Sequence, residues 1–214
     1  MGSTFEDMQY EISLEDDYKY HTSGKAFDDM FADALDDAIY DAIYGRIFNY
    51  YLDSNNILLP AYNSLKNARN HVLYSPTSTL IYSAITLELI VKNVVFKPLI
   101  YGVINNNPAA EIISSIIFNT NRSPLLFNNL NAIVLEFTKI DFNTYKRRNS
   151  KITLWKEMDE VRINRNRAVH EGKQFLKVDG KKALSIALHL YNLVTTKVLG
   201  NFKLISNDGV IQKK

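Results

Sequence analysis

The 214-residue sequence contains no cysteine. Disulfides, thiolate catalysis and a cysteine-bound zinc are therefore excluded, and the composition fits a reducing cytoplasm. With 8 glycines and 5 prolines, the chain has few turn formers and no phosphate-cradling loop. "SGK" at Ser23 lacks the preceding glycine frame of such a loop, and no dinucleotide fingerprint occurs. A charge-free apolar run is also missing. The longest apolar stretch, Leu80 to Ile104, carries Glu88, Lys92, Lys97 and Pro98, which predicts a buried core helix and no membrane span. The N-terminus is acidic and lacks the basic-then-apolar order of a secretory signal; the opening "MGS" is set aside. Histidine occurs four times. His21, His71 and His189 lack metal-ligand spacing with one another or with nearby acids, so they are expected to be surface or hydrogen-bonded residues, and no metal or other cofactor is expected.

Charge is abundant but unevenly spread. Residues 1–41 hold twelve acids and two bases, a net of −10, while residues 42–214 hold eleven acids and 23 bases, a net of +12. Between Lys139 and Lys182 there are thirteen bases against six acids, a density that suits a polyanionic partner.

Helical periodicity dominates the chain. After a polar arm, Phe27, Phe31, Leu35, Ile39 and Ile43 recur at helical spacing, opposite Asp29, Asp33, Asp37 and Asp41. Carboxylates four apart could bind a divalent metal or fold over the basic block; with no histidine or glycine-turn ligand beside them, a solvated face is the preferred reading. A second helix is expected from Pro60 to Tyr74. A third runs from the Ser75 cap and Pro76 to about Phe96 and should be central. A short helix is expected near Glu111 to Phe118, another from the Ser123 cap through "SPLLFNNLNAIVLEF", and a polar break at "NTYKRRNS". A helix from about Ile152 to His170 follows, then "EGKQFLKVDGKK" as a connection and a last helix from about Ala183 to Leu199. The final "NDGVIQKK" is expected to fray. The predicted fold class is all-α, an up-and-down bundle of five to six helices with an acidic N-terminal helical extension. The expected division is an arm and helix packing on the bundle over 1–55, a helical domain over 56–200 and a tail over 201–214.

Two charges break apolar stripes. Leu154, Met158, Val161, Ala168 and Val169 line one face of the 152–170 helix, and Arg165 interrupts it. Glu88 interrupts the wall of "STLIYSAITLELIVKNVVF" in the same way. An unpaired charge facing a core costs several kcal/mol, so one polar spot between the two helices is expected. It is either a structural ion pair or the mouth of an active site. His170 closes the same helix, with Gly172 marking its end. Asn166 and Arg167 lie one turn from His170, whereas Arg165 is roughly 140° away around an ideal helix. Arg165 and His170 therefore converge only if the last turn is distorted or two copies of the chain meet. Arginine and histidine near a helix C-terminus also complement its dipole, which accounts for some of these charges but not for Arg165. Trp155 and the thirteen tyrosines are read as core residues before base-stacking platforms.

"RNRAVH", Arg165 to His170, resembles the arginine, polar residue, three variable residues, histidine signature of the HEPN superfamily. "LELIVK", with Glu88 and Lys92, is similar to the earlier apolar helix that carries an acidic residue toward the site in such domains. The resemblance spans roughly residues 60–200, with the motif closing the penultimate long helix. It implies a HEPN-like bundle acting as a metal-independent endoribonuclease and homodimer, similar to toxins and antiviral defence effectors that work with an antitoxin or within a larger defence complex. The implied chemistry is attack of the RNA 2′-hydroxyl on the adjacent phosphate. His170 would shuttle protons, Arg165 would stabilise the phosphate, Asn166 would orient phosphate or imidazole, and Glu88 would hold Arg165. Arg162, Arg167, Lys146, Arg147 and Arg148 would bind flanking phosphates. Antitoxin-regulated members often carry a tyrosine two residues after the histidine; here that position is Gly172, which puts that mode of control in doubt. The alternative from another class is a non-catalytic RNA- or nucleotide-binding module or dimeric sensor.

Overall fold

The computed structural model describes residues 35–119, 135, 139–141, 143–148 and 150–214. The expected helix starts at Phe27 and Phe31, Asp29 and Asp33, and most of the helix expected after Ser123 lie outside the described residues. The chain forms two compact units, Met1–Ile43 and Tyr44–Lys214. Of the first, residues 35–43 are helical, with Leu35 and Ile39 exposed. The second half of helix α1, described over 35–53, belongs to the larger unit. There its Ile47 and Tyr51 are fully buried.

The described residues form an all-α helical bundle with one two-stranded sheet. Helix α2 (Leu59–His71) and helix α3 (Pro76–Leu89) are joined by a four-residue connection and pack along each other, as short links between antiparallel neighbours require. Ser75 caps α3 through its side chain, and Pro76 sits at the first helical position, where its missing N–H costs nothing. α3 is central: it also packs against α6 (Leu154–His170) and α7 (Lys177–Leu193). Its hydroxyls survive burial by bonding backward. Thr79, Ser83 and Thr86 donate to the carbonyls of Ser75, Thr79 and Tyr82 at 3.0, 2.7 and 2.9 Å.

α3 continues without a break through a π-helical stretch, Ile90–Phe96, into α4 (Lys97–Val103). The helix was expected to end at about Phe96, yet it runs on past Pro98. A proline removes the N–H that would serve the carbonyl four residues back, here Val94, and widening to π geometry accommodates its ring. The Tyr51 hydroxyl supplies the replacement bond, donating to the Val94 carbonyl at 2.7 Å. The combined helix Pro76–Val103 is long and apolar enough to cross a membrane by length and composition, and 56% of its most apolar window is buried inside the protein. Helix α5 (Asn107–Asn119) follows, longer at its start than the sequence indicates.

The C-terminal region departs from expectation twice. The "KVDGKK" segment is helical, not connecting: α7 starts at Lys177, because Asp179 accepts from the Leu176 N–H at 3.1 Å and Gly180 packs against Pro76. A Cβ at Gly180 would lie 2.8 Å from the Pro76 carbonyl oxygen, so only glycine lets the two helix starts approach this closely. α7 runs on through a second π-helical stretch, Val194–Val198, into the short α8 (Leu199–Asn201). The tail then does not fray. β1 (Leu204–Asn207) and β2 (Val210–Lys213) form an antiparallel hairpin about Asp208 and Gly209, with φ of 50° and 86°, the left-handed pair that a tight hairpin turn requires. Ile211 is buried and its N–H reaches the Asn55 carbonyl at 2.8 Å, while the Tyr62 hydroxyl donates to Asp208 at 2.7 Å. "NDG" is a hairpin signal. A four-residue strand on each side is too short to announce itself without the helix surface it covers.

Candidate functional site

α6 begins where Thr153 accepts from the Lys156 N–H at 3.4 Å and ends at Gly172, whose φ of 66° lets the Lys173 N–H bond the Arg167 carbonyl at 3.2 Å. Leu154, Met158 and Val161 are buried along one face. Val169, expected to continue that stripe, is 54% exposed. The last turn from Arg167 to His170 is exposed or half-exposed throughout, so the periodicity outruns the length over which a neighbouring helix packs.

Arg165 lies where the stripe still meets α3. Its side chain is 27% exposed, and its Nη2 donates to Glu88 Oε2 at 2.8 Å, its Nη1 to Asn166 Oδ1 at 3.1 Å. The other Glu88 oxygen accepts from Lys92 at 2.7 Å. Burial alone would raise the Glu88 carboxyl, but the bonds and charges of Lys92 and Arg165 together outweigh it and hold the group below its ordinary range. A guanidinium has five N–H donors, and two of those on Arg165 are matched to described residues. The rest of the fork stays available to an anion.

This corner opens onto a cleft of about 350 Å³. Ala84, Leu87, Glu88, Val91 and Lys92 line it from α3 and the π-helical stretch; Trp155, Met158, Asp159, Arg162, Arg165 and Asn166 line it from α6. Arg162 is exposed and chelates Asp159 Oδ1 through Nη2 and Nε at 2.7 and 3.0 Å. Of the residues singled out from sequence, the cleft thus gathers Glu88, Arg165, Asn166 and Arg162. It does not gather His170, the exposed last residue of α6, whose imidazole makes no hydrogen bond to a described residue, nor Arg167. Trp155, expected in the core, is half-buried on the cleft wall. About two turns before Arg162 on the same helix, its position was the available signal.

The loop cations separate as well. Lys146 and Arg148 are exposed ahead of α6. Arg147, expected among the phosphate binders, is instead committed to Glu157: Nε and Nη2 donate to the two carboxylate oxygens at 2.7 and 2.8 Å, and Nη1 donates to Ser185 at 3.0 Å. Glu157 is only 3% exposed. Burial would raise its carboxyl, and Arg147, with Ser150 and Lys182, more than offsets this. Beside this pair, His189 shares a 3.0 Å hydrogen bond with the Tyr145 hydroxyl. Burial, then the Arg147 charge, lower its pKa despite the opposing pull of Glu157. His71 bonds the Asn67 carbonyl at 2.8 Å. Among the described residues, no three His, Cys, Asp or Glu side chains are placed to share a metal ion. The sequence matches no family model, no curated protein and no solved structure.

Proposed function

We propose that the protein is a metal-independent endoribonuclease of HEPN type that works in the cytoplasm as a homodimer, in the manner of a toxin or antiviral defence effector. The observation that carries this reading is the Arg165 corner: a guanidinium held by Glu88 and Asn166 on the wall of an open cleft, with donors left for an anion. Such a fork can engage two oxygens of a phosphate and neutralise the charge that builds as a 2′-hydroxyl attacks it. His170 serves as proton shuttle. It stands outside the cleft of its own chain, so its partner in chemistry is the Arg165 corner of a second copy. Arg162 and Lys92 add positive charge along the approach.

The exposure of His170 away from its own cleft also favours a second reading, a module that binds RNA without cutting it. Labelled RNA incubated with excess EDTA separates the two. The enzyme cleaves it, and His170→Ala and Arg165→Ala, folded by circular dichroism, do not. If His170→Ala cleaves as the unsubstituted protein does, the ribonuclease reading fails. Binding without cleavage, retained in His170→Ala, establishes the second.

A further inference from the structure

We infer that one end of the bundle, where the α2–α3 link meets the start of α7, docks on the surface of an anionic lipid bilayer. The inference is independent of the ribonuclease reading, and none of its residues lines the cleft. Leu73 and Tyr74 lie in the link after α2; Leu176 and Val178 lie at the start of α7. Three contacts stitch the two segments together. The Thr77 hydroxyl donates to Gln174 Oε1 at 3.2 Å, the Phe175 N–H donates to Thr77 Oγ1 at 3.0 Å, and Gly180 packs against Pro76. The four apolar side chains at this corner are 63, 85, 72 and 66% exposed, in that order. Single exposed apolar residues are ordinary, but a group of them at one corner marks an interaction surface.

Charge selects the occupant. Residues 167–182 hold five bases and two acids. Asp179 is taken up by the Leu176 N–H at 3.1 Å, and Lys182 by Glu160 at 2.9 Å. Lys177 and Lys181, one turn apart on α7, are exposed and make no ion pair among the described residues. A second copy of the chain seated on this face would set these lysines against themselves across a two-fold axis. Side chains that project this far need a matching hollow on a protein partner, whereas a bilayer deforms around them. Nucleic acid would match the lysines and leave the aliphatic chains in water. An anionic bilayer takes both: lysines meet the headgroups, the tyrosine sits at the interface, and the aliphatic chains enter the acyl boundary.

The test uses the full chain and vesicles. Flotation should carry the protein with vesicles of phosphatidylcholine and phosphatidylserine in equal parts, leave it behind with phosphatidylcholine alone, and weaken as salt rises. Lys177→Gln and Lys181→Gln should each weaken binding roughly fivefold, the scale of one lysine at an anionic leaflet. Tyr74→Ser with Leu176→Ser should weaken it by roughly tenfold or more, with circular dichroism unchanged because both side chains already face water. The sequence has no cysteine, so Val178→Cys accepts a single polarity-sensitive dye. That dye should brighten on anionic vesicles, while the same dye at Gln212→Cys, exposed on β2, stays dark. Failure to bind anionic vesicles, equal binding to both compositions, or full binding after all four substitutions are combined overturns the proposal. Brightening of the Val178→Cys dye by single-stranded RNA or by polyglutamate, as strong as that by vesicles, overturns it as well and assigns the corner to nucleic acid or to an acidic protein.

Discussion

Replacing Arg147 by alanine removes the main partner of a buried carboxylate. Glu157 is 3% exposed, and both of its oxygens are bonded to Arg147. Deleting one member of a buried pair costs about 3–5 kcal/mol, because the other charge stays desolvated. The Arg147 side chain is itself 19% exposed and water can enter in its place, which puts the expected loss near the lower end, about 3 kcal/mol. For a domain with a typical stability of about 5–15 kcal/mol this is a large fraction. Urea denaturation at neutral pH, followed by circular dichroism, measures it. Arg147→Met combined with Glu157→Leu removes both charges and should recover stability to within about 1 kcal/mol of the starting protein, since apolar replacement of a whole buried pair is often neutral. An Arg147→Ala variant that loses less than about 1 kcal/mol would refute the reasoning. If that variant instead kept its stability and bound RNA more weakly, Arg147 would be a phosphate ligand after all.

Tyr51→Phe strips the hydroxyl that serves the Val94 carbonyl opposite Pro98; an orphaned buried carbonyl should cost about 1–2 kcal/mol in the same denaturation assay. Gly209→Ala strains a backbone at φ 86° and drives a Cβ to 2.8 Å from the Tyr62 Cβ. The hairpin should loosen, read as faster amide exchange at Ile211 with little change at Leu190 in the core. The lowered pKa of His189 makes stability pH-dependent: the folded state favours the neutral ring, so this contribution is full above the unfolded value of 6.5 and is lost as pH falls through the folded one. Denaturation between about pH 7 and about pH 5 should show a slope that His189→Gln flattens.

Much of the bundle was legible in the residues because helices announce themselves locally. The Ser75–Pro76 start of α3 and the Gly172 end of α6 are backbone chemistry, carried within a turn of chain. The central place of α3 followed from its apolar composition. Arg165 and Glu88 could be paired on paper because each breaks an apolar stripe, and an unmatched charge facing a core is too costly to leave alone.

What stayed illegible depends on which surfaces meet. Glu157 reads as an ordinary acid in a first helical turn until the Arg147 guanidinium closes on it. Gly180 reads as part of a connection until Pro76 approaches within contact of it, and the end expected near Phe96 is passed where Tyr51 bonds the Val94 carbonyl ahead of Pro98. The site divides along the same line. Residue chemistry and helical spacing by themselves determined a helical bundle, a basic second half and the Arg165 corner. The packing of α6 on α3 decided that Trp155 lines a cleft and that His170 stands outside its own chain's cleft, and the bonds of Arg147 to Glu157 and Ser185 decided that it is sequestered. Burial is a property of neighbours, and no residue carries its neighbours in its own position along the chain.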